Sequence, residues 1–326
     1  MCAKLTIDEN FALLKDLVHT IKIPTPFAVG DVYSYMIDDE KNVLVDCGHK
    51  AENSYELVKK QMKSVGLAMA DLDEIWLTHG HPDHFGQAAR LADESGAVIY
   101  GHAKERSNFA DNDNRELFDE FFSMHLVPED HRTFMIEQLD WLQQYQQAIT
   151  PQWVEEGEQL SSGELLFEVK HTPGHAPGHL TFYSNDGIIF GGDNLLEHIS
   201  TNALINFDPD TGRRNKSLLQ YRETLKWIRT REGVVLPGHG KFIRDISKIA
   251  EHHLNEHRRR YLQIQDLLKK RPFSLYELSL RLFPDAVKEG AIFLVLSEVV
   301  GYLDWGMEEG VIAQEGEMFF AVNSDQ

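Results

Sequence analysis

Cysteine is nearly missing from this chain of 326 residues, with Cys2 and Cys47 alone. They form no CxxC pair and no spaced framework, which excludes a disulfide-stapled secreted fold and suits a reducing compartment. No apolar run approaches the length of a membrane span. The N-terminal stretch carries Asp8, Glu9, Lys15 and Asp16 where a signal peptide would place a basic segment and an apolar core. The expectation is a cytoplasmic protein with no membrane partner. Positive charge is scarce too, 32 Lys and Arg against 52 Asp and Glu, for a net charge of −20. Such an excess repels nucleic acid and anionic lipid, so nucleic acid is disfavoured as a partner. Internal repeats and low-complexity tracts are missing as well, which removes solenoids. What remains is a 42% share of hydrophobic residues, ample for a core, over a length that suits one large domain and an appendage.

Histidine is concentrated instead. Thr78-His79-Gly80-His81-Pro82-Asp83-His84 packs four candidate metal ligands into seven residues. Glu74 to Leu77 before it reads as a buried strand and Phe85 to Leu91 after it as a helix, so the cluster occupies a strand-to-helix loop. Residues two apart in an extended segment point the same way. His79 and His81 can therefore share one ion, while Asp83 and His84, past the Pro82 turn, face a second position. Neutral imidazoles and a carboxylate suit Zn²⁺, and also Fe or Mn.

Three later segments end apolar strands in ligand-type side chains. Leu165 to His171 runs into Thr172-Pro173-Gly174-His175, Ile188 to Gly192 ends at Asp193, and Val234 to Gly238 ends at His239. Each places a His or Asp where a rigid scaffold meets an open loop. Tyr33–Asp38 and Val43–Asp46, joined by the charged turn 39–42, read as a hairpin leading to Asp46. Residues 51–65 and 216–231 read as helices.

This set resembles the metallo-β-lactamase superfamily: Asp46 in Val43-Leu44-Val45-Asp46-Cys47-Gly48, the HxHxDH cluster, His175, Asp193 and His239, in the family's order over roughly residues 20 to 245. The resemblance implies an α/β fold, an αββα sandwich with metals at one sheet edge, and two divalent metal ions as cofactors. His79, His81 and His175 would hold the first ion, Asp83, His84 and His239 the second, with Asp193 bridging. Asp46 would orient a ligand His or its loop. The implied chemistry is hydrolysis by a metal-bridging hydroxide attacking a carbonyl or phosphoryl centre, with Asp83 or Asp193 passing a proton to the leaving group. His179, four residues after His175, either lines the site or supports it. His49 is ambiguous, His102 and His171 read as structural, and His252, His253 and His257 as solvated on a polar helix.

Residues from about 105 to 150 interrupt the alternation with two helical stretches. Phe118, Phe121, Phe122, Met124, Phe134, Met135 and Trp141 give them an aromatic surface that could cap an acyl pocket, pack on the core or form a dimer interface, which keeps a homo-oligomer open. Arg213 and Arg214 read as a solvated turn. The catalytic domain is thus expected over 1–245 and a C-terminal domain over 246–326. In the latter a long helix from Ile246, a short one capped by Ser274 and Glu277, a third over 287–305 and a hairpin make a winged-helix-like pattern. Residues 251–326 carry 8 Lys and Arg against 13 Asp and Glu, and their third helix is too apolar to read a DNA groove, so a structural or oligomeric role is expected.

The functional expectation is a metal-dependent hydrolase of a small-molecule ester, most readily a thioester or lactone. Its rivals are a single-stranded RNA endonuclease, a persulfide dioxygenase with one iron, and a non-enzymatic winged-helix regulator. The resemblance reaches the glyoxalase II, lactonase and β-lactamase-like protein 2 groups, and fold kinship alone does not choose among their substrates.

Overall fold

In β2 (Val32–Asp38) Tyr35 and Ile37 face one way and Met36 the other, and the neighbouring strands repeat the alternation. Val43 and Val45 oppose Leu44 in β3 (Asn42–Val45), and Trp76 opposes Ile75 in β4 (Glu74–Trp76). All of these are buried, so the sheet they form is covered on both faces. The structure is a computed structural model that describes residues 17–110 and 114–322. Cys2 and the charged N-terminal stretch lie outside the described residues.

The first sheet runs in chain order from β1 (Val18–Ile23) through β2, β3, β4 and β5 (Val98–Gly101) to β6 (Gln152–Trp153). It is antiparallel up to β3 and parallel beyond. The second has the order β11 (Val234–Pro237), β10 (Ile188–Gly192), β9 (Leu180–Ser184), β8 (Leu166–His171), β7 (Gln159–Ser161), with only β10 and β11 parallel. Between the sheets lie Tyr35, Trp76, Phe167, Phe182 and Phe190, the Trp76 and Phe167 rings 5.5 Å apart. Tyr55, Val58 and Met62 of helix Glu52–Ser64 cover the first sheet's outer face. Leu218, Tyr221, Leu225 and Ile228 of helix Ser217–Ile228 cover Ile189 and Val235 on the second. The result is the αββα sandwich that the resemblance implied.

Several boundaries differ from expectation because tertiary contacts set them. The helix expected from Phe85 is two pieces, Pro82–Phe85 and Ala88–Ser95. At Gly86, between them, a Cβ would lie 2.2 Å from the Tyr145 carbonyl and 2.5 Å from the Lys50 nitrogen. The helix expected over 287–305 is Pro284–Lys288 and Ile292–Glu308, parted at Gly290 with φ +87°. The strand expected over Leu165 to His171 is there, as Leu166–His171, and the turn after it leads to His175.

The insertion holds helices Arg106–Phe109, Arg115–Met124 and Glu129–Gln143. Its aromatic residues are not all surface. Phe121, Phe122 and Met135 are buried in one apolar cluster with helix Ser217–Ile228, the long helix Ile246–Leu268 and helix Ile292–Glu308. Phe118 meets Phe293 at 5.7 Å. Met124, Phe134 and Trp141 stay exposed.

Helix Leu275–Leu282 opens with a capping box, the Ser274 hydroxyl accepting from Glu277 N and the Glu277 carboxylate from Ser274 N. Strands β12 (Phe273–Ser274), β14 (Met318–Ala321) and β13 (Ile312–Glu315) form a small third sheet in that order. Two histidines expected in solvent are inside. His253 and His257 face the core from the long helix, His253 Nε2 donating to the Leu196 carbonyl at 2.8 Å, and His252 alone is exposed. Arg214 is not a solvated turn residue either, since it makes a two-pronged ion pair with Asp304, which is 1% exposed. No helix among the described residues is long and apolar enough to cross a membrane.

Candidate metal centre

Every candidate ligand stands just past the end of a strand. Asp46 follows β3, His79 and His81 lie on the loop after β4 with Asp83 and His84 in the short helix Pro82–Phe85 that continues it, and His175 lies four residues beyond β8. Asp193 follows β10, and His239 lies two residues beyond β11. Because β3 and β4 run parallel, as do β10 and β11, these loops share one end of the sandwich. Three groups of ligand atoms result, each within 4.8 Å: His79, His81 and His175; His79, His84 and Asp193; and Asp83, His84 and His239.

The carboxylates lie between the imidazoles. Asp193 Oδ1 is 3.5 Å from His84 Nε2, and its Oδ2 is 3.5 Å from both His175 Nε2 and His239 Nε2. Asp83 Oδ2 is 3.3 Å from His239 Nε2, and His79 Nε2 is 2.9 Å from His81 Nδ1.

Three of the imidazoles are oriented by one device. His84 Nδ1 donates to Asp46 Oδ2 at 2.8 Å, His175 Nδ1 to the Asn202 carbonyl at 2.9 Å and His239 Nδ1 to the Asp31 carbonyl at 2.8 Å. A neutral ring whose Nδ1 carries the proton presents Nε2 as a bare lone pair. Those three Nε2 atoms, with Asp193 Oδ1, are buried and have no hydrogen-bond partner. Buried polar atoms are normally satisfied, so four orphans gathered around the Asp193 carboxylate fit bound cations. Gly238 fits it as well, because a Cβ there would lie 2.3 Å from Asp193 Oδ1 and 2.5 Å from His84 Cε1.

Burial and charge split the histidines in two. Burial, reinforced by neighbouring imidazoles, holds His79 and His175 below the ordinary value and His81 down at about 3. Burial would lower His84 and His239 also, but Asp193 and Asp83 outweigh it and raise both. The same pairs reverse the effect of burial on Asp83 and Asp193, whose carboxyls sit below the usual range.

Asp46 touches no other candidate ligand but His84. Its Oδ1 accepts from Thr78 N and its Oδ2 from Thr78 Oγ1, both at 2.8 Å, besides the His84 bond. His179 lies behind the cluster, fully buried, its ring stacked 4.9 Å from His79 and its Nε2 accepting from Asp193 N. It supports two candidate ligands and does not face the opening. His102 and His171 stack on each other at 4.2 Å, apart from the centre.

His49 borders the site. Its Nδ1 bonds Ser54 Oγ at 2.8 Å, and although burial lowers it, the Asp83 charge reaches it. Against it stand Phe27, at 6.0 Å, and Tyr145, at 5.6 Å, and Trp141 completes an aromatic trio with them. Phe27 comes from the β1–β2 loop and the other two from the end of the insertion.

Some of the site was outside the sequence reading. Thr78 was visible as part of the motif but not as the partner of Asp46. The Asp31 and Asn202 carbonyls have no residue signature, and Glu105, buried behind the His79–His81 loop, looks like any polar residue of a loop.

Comparison with known proteins agrees with this geometry. The family model described as metallo-beta-lactamase superfamily matches residues 28–239. A probable metallo-hydrolase, YqjP, of Bacillus subtilis is 29% identical over 294 residues, covering 88% of this chain and 91% of that protein. The hydroxyacylglutathione hydrolase GloC of Haemophilus influenzae is 29% identical over 219 residues, 64% of this chain and 85% of that one. Among solved structures, the metallo-beta-lactamase family protein TTHA1429 of Thermus thermophilus superposes with a TM-score of 0.81 at 25% identity, over 94% of this chain and 98% of that one. Motif, fold and match lead to one assignment: the chain belongs to the metallo-β-lactamase superfamily and is a metal-dependent hydrolase.

Proposed function

We propose that the centre takes two divalent ions, zinc by preference, and hydrolyses a thioester or lactone of a small-molecule substrate in the cytoplasm. His79, His81 and His175 would hold one ion, and Asp83, His84 and His239 the other. The observation that carries the reading is the place of Asp193, whose carboxylate lies 3.5 Å from His175 on one side and from His84 and His239 on the other, which supports a bridging role between the two groups. Bound there, the ions would supply a nucleophilic water at neutral pH and positive charge for the oxyanion of an attacked carbonyl.

The chain's own residues do the rest. Asp46, Asn202 and Asp31 fix the tautomers of His84, His175 and His239. Asp83 and Asp193 carry negative charge and can take the proton of an attacking water and return it to the leaving group. Phe27, Trp141 and Tyr145 form a wall beside the Asp83 side of the centre that suits the apolar part of an acyl group. The resemblance to a hydroxyacylglutathione hydrolase supports a thioester, and the net charge of −20 weighs against RNA. We assign catalysis to residues 1–245, with 246–326 as a structural module.

The test is turnover by the zinc-loaded protein of thioesters and lactones graded in acyl size, a phosphodiester and single-stranded RNA, beside Asp193→Ala and His239→Ala. Acyl-ester turnover abolished in both variants supports the reading. Cleavage of RNA alone overturns it, and oxygen uptake with a persulfide by iron-loaded protein would replace it by the dioxygenase.

A further inference from the structure

Glu105 is 0% exposed, yet it is paired with no Lys, Arg or His among the described residues. An isolated buried carboxylate is expensive unless donors surround it, and here three do. Oε1 accepts from Gly178 N at 2.5 Å, and Oε2 accepts from Gly80 N at 3.2 Å and Asn108 Nδ2 at 2.6 Å. Burial pushes its carboxyl up, and those three bonds work the other way.

The two backbone donors belong to different halves of the sandwich. Gly80 lies between His79 and His81 on the loop after β4, and Gly178 lies three residues past His175 on the loop between β8 and β9. Glu105 reaches both from the single turn Ala103–Glu105 that follows β5. Both glycines are required by its approach. A Cβ on Gly80 would lie 2.6 Å from Glu105 Oε2, and one on Gly178 would lie 2.8 Å from Glu105 Cγ and 3.0 Å from its backbone nitrogen.

We infer that Glu105 is a positioning residue, a carboxylate clamp that holds the His79–His81 loop against the His175 loop so that these three imidazoles converge. The inference rests on the reading of those histidines as one metal group. A plain filler of this space would be apolar, since an apolar side chain needs no donors. A carboxylate here instead fixes two backbone N–H groups, one beside each arm of the group. In the Asp83, His84 and His239 group the two imidazoles are oriented through Asp46 and Asp31 instead.

The role is tested by zinc and cobalt(II) binding to the wild-type full-length chain, Glu105→Gln and Glu105→Ala, using a competing chelator and the cobalt absorption spectrum, with urea midpoints measured alongside. Gln keeps the volume and one acceptor but turns an amide N–H₂ toward donors, so it releases one loop, and Ala releases both. Expected is a loss of affinity of about 10- to 100-fold for one of two ions, larger in Ala than in Gln, with an altered cobalt spectrum and the second ion held as in wild type. Equal affinities and spectra in all three proteins, with only the midpoint lowered, overturn the role and leave the metal site standing. A wild-type chain that binds no ion overturns both the role and the reading beneath it.

Discussion

At Asp46 the backbone takes φ +54°, a left-handed conformation in which Asp is one of the few side chains tolerated. That turn aims its carboxylate back at Thr78 and His84, where it accepts three hydrogen bonds and donates none. Asp46→Asn preserves size but offers one acceptor oxygen. Its amide N–H₂ then faces His84 Nδ1, so the ring moves its proton to Nε2, the atom needed bare. Metal affinity at the Asp83, His84 and His239 group should fall about 10- to 100-fold, measured by chelator competition; unchanged affinity would mean that another group fixes the His84 tautomer. At this scale the candidate ligands were legible as a set because imidazole and carboxylate at strand ends have few other uses, and the fold brings them together. Their orienting partners were not. Two are main-chain carbonyls that every residue type carries, and Glu105 is an acid whose burial only the folded loops create.

At the scale of elements, the strands and their turn-in to the site followed from alternation and β-branching, which are local properties. The helix breaks at Gly86 and Gly290 did not, because a glycine within a helical pattern does not reveal what presses on it. The packing of the insertion stayed open in the sequence for a related reason. Its aromatic residues have helical spacing, but the sequence does not say what covers Phe121 and Phe122, whose partners are distant in the chain: Phe207 for Phe121 and Phe293 for Phe122. The Arg214–Asp304 pair fastens the loop before helix Ser217–Ile228 to helix Ile292–Glu308, with both N···O distances under 3 Å. Removing the guanidinium strands a carboxylate that is 1% exposed. Arg214→Ala should therefore destabilise the protein by about 3–5 kcal/mol, while Arg214→Met with Asp304→Leu should recover most of that loss. Urea denaturation of the three proteins decides it, and a single-variant effect below about 1 kcal/mol would show that the pair behaves as a surface bridge.

Across the whole molecule, the cluster that joins the insertion, helix Ser217–Ile228 and the C-terminal helices contains histidines that the folded state keeps neutral. Burial and the Arg222 charge bring His257 down to about 3, and burial and the Arg214 charge bring His125 down to about 4, against an ordinary value of 6.5. Both have an unpartnered, buried Nδ1. Their folded values lie below the unfolded one, so unfolding takes up protons in acid. The stability they allow is complete above pH 6.5 and is lost as pH falls from there toward 4 and 3, at about 1.4 kcal/mol per pH unit for each histidine. A carboxylate with a lowered value loses stability in the same direction but only below about pH 4, and carboxyls that burial raises, at Glu105 and Glu298, act with the opposite sign, so a fall between pH 6.5 and 4.5 belongs to the histidines. The candidate metal ligands include shifted histidines as well, lowered at His81 and raised at His84, which is why the measurement belongs on chelator-treated protein and on a difference between variants. His125→Phe, beside Phe121 and Phe319, combined with His257→Gln, should flatten the fall of the urea midpoint over that window relative to wild type. Parallel curves would mean that the shared cluster opens to water before it unfolds, and that the C-terminal helices are held to the sandwich less tightly than their burial implies.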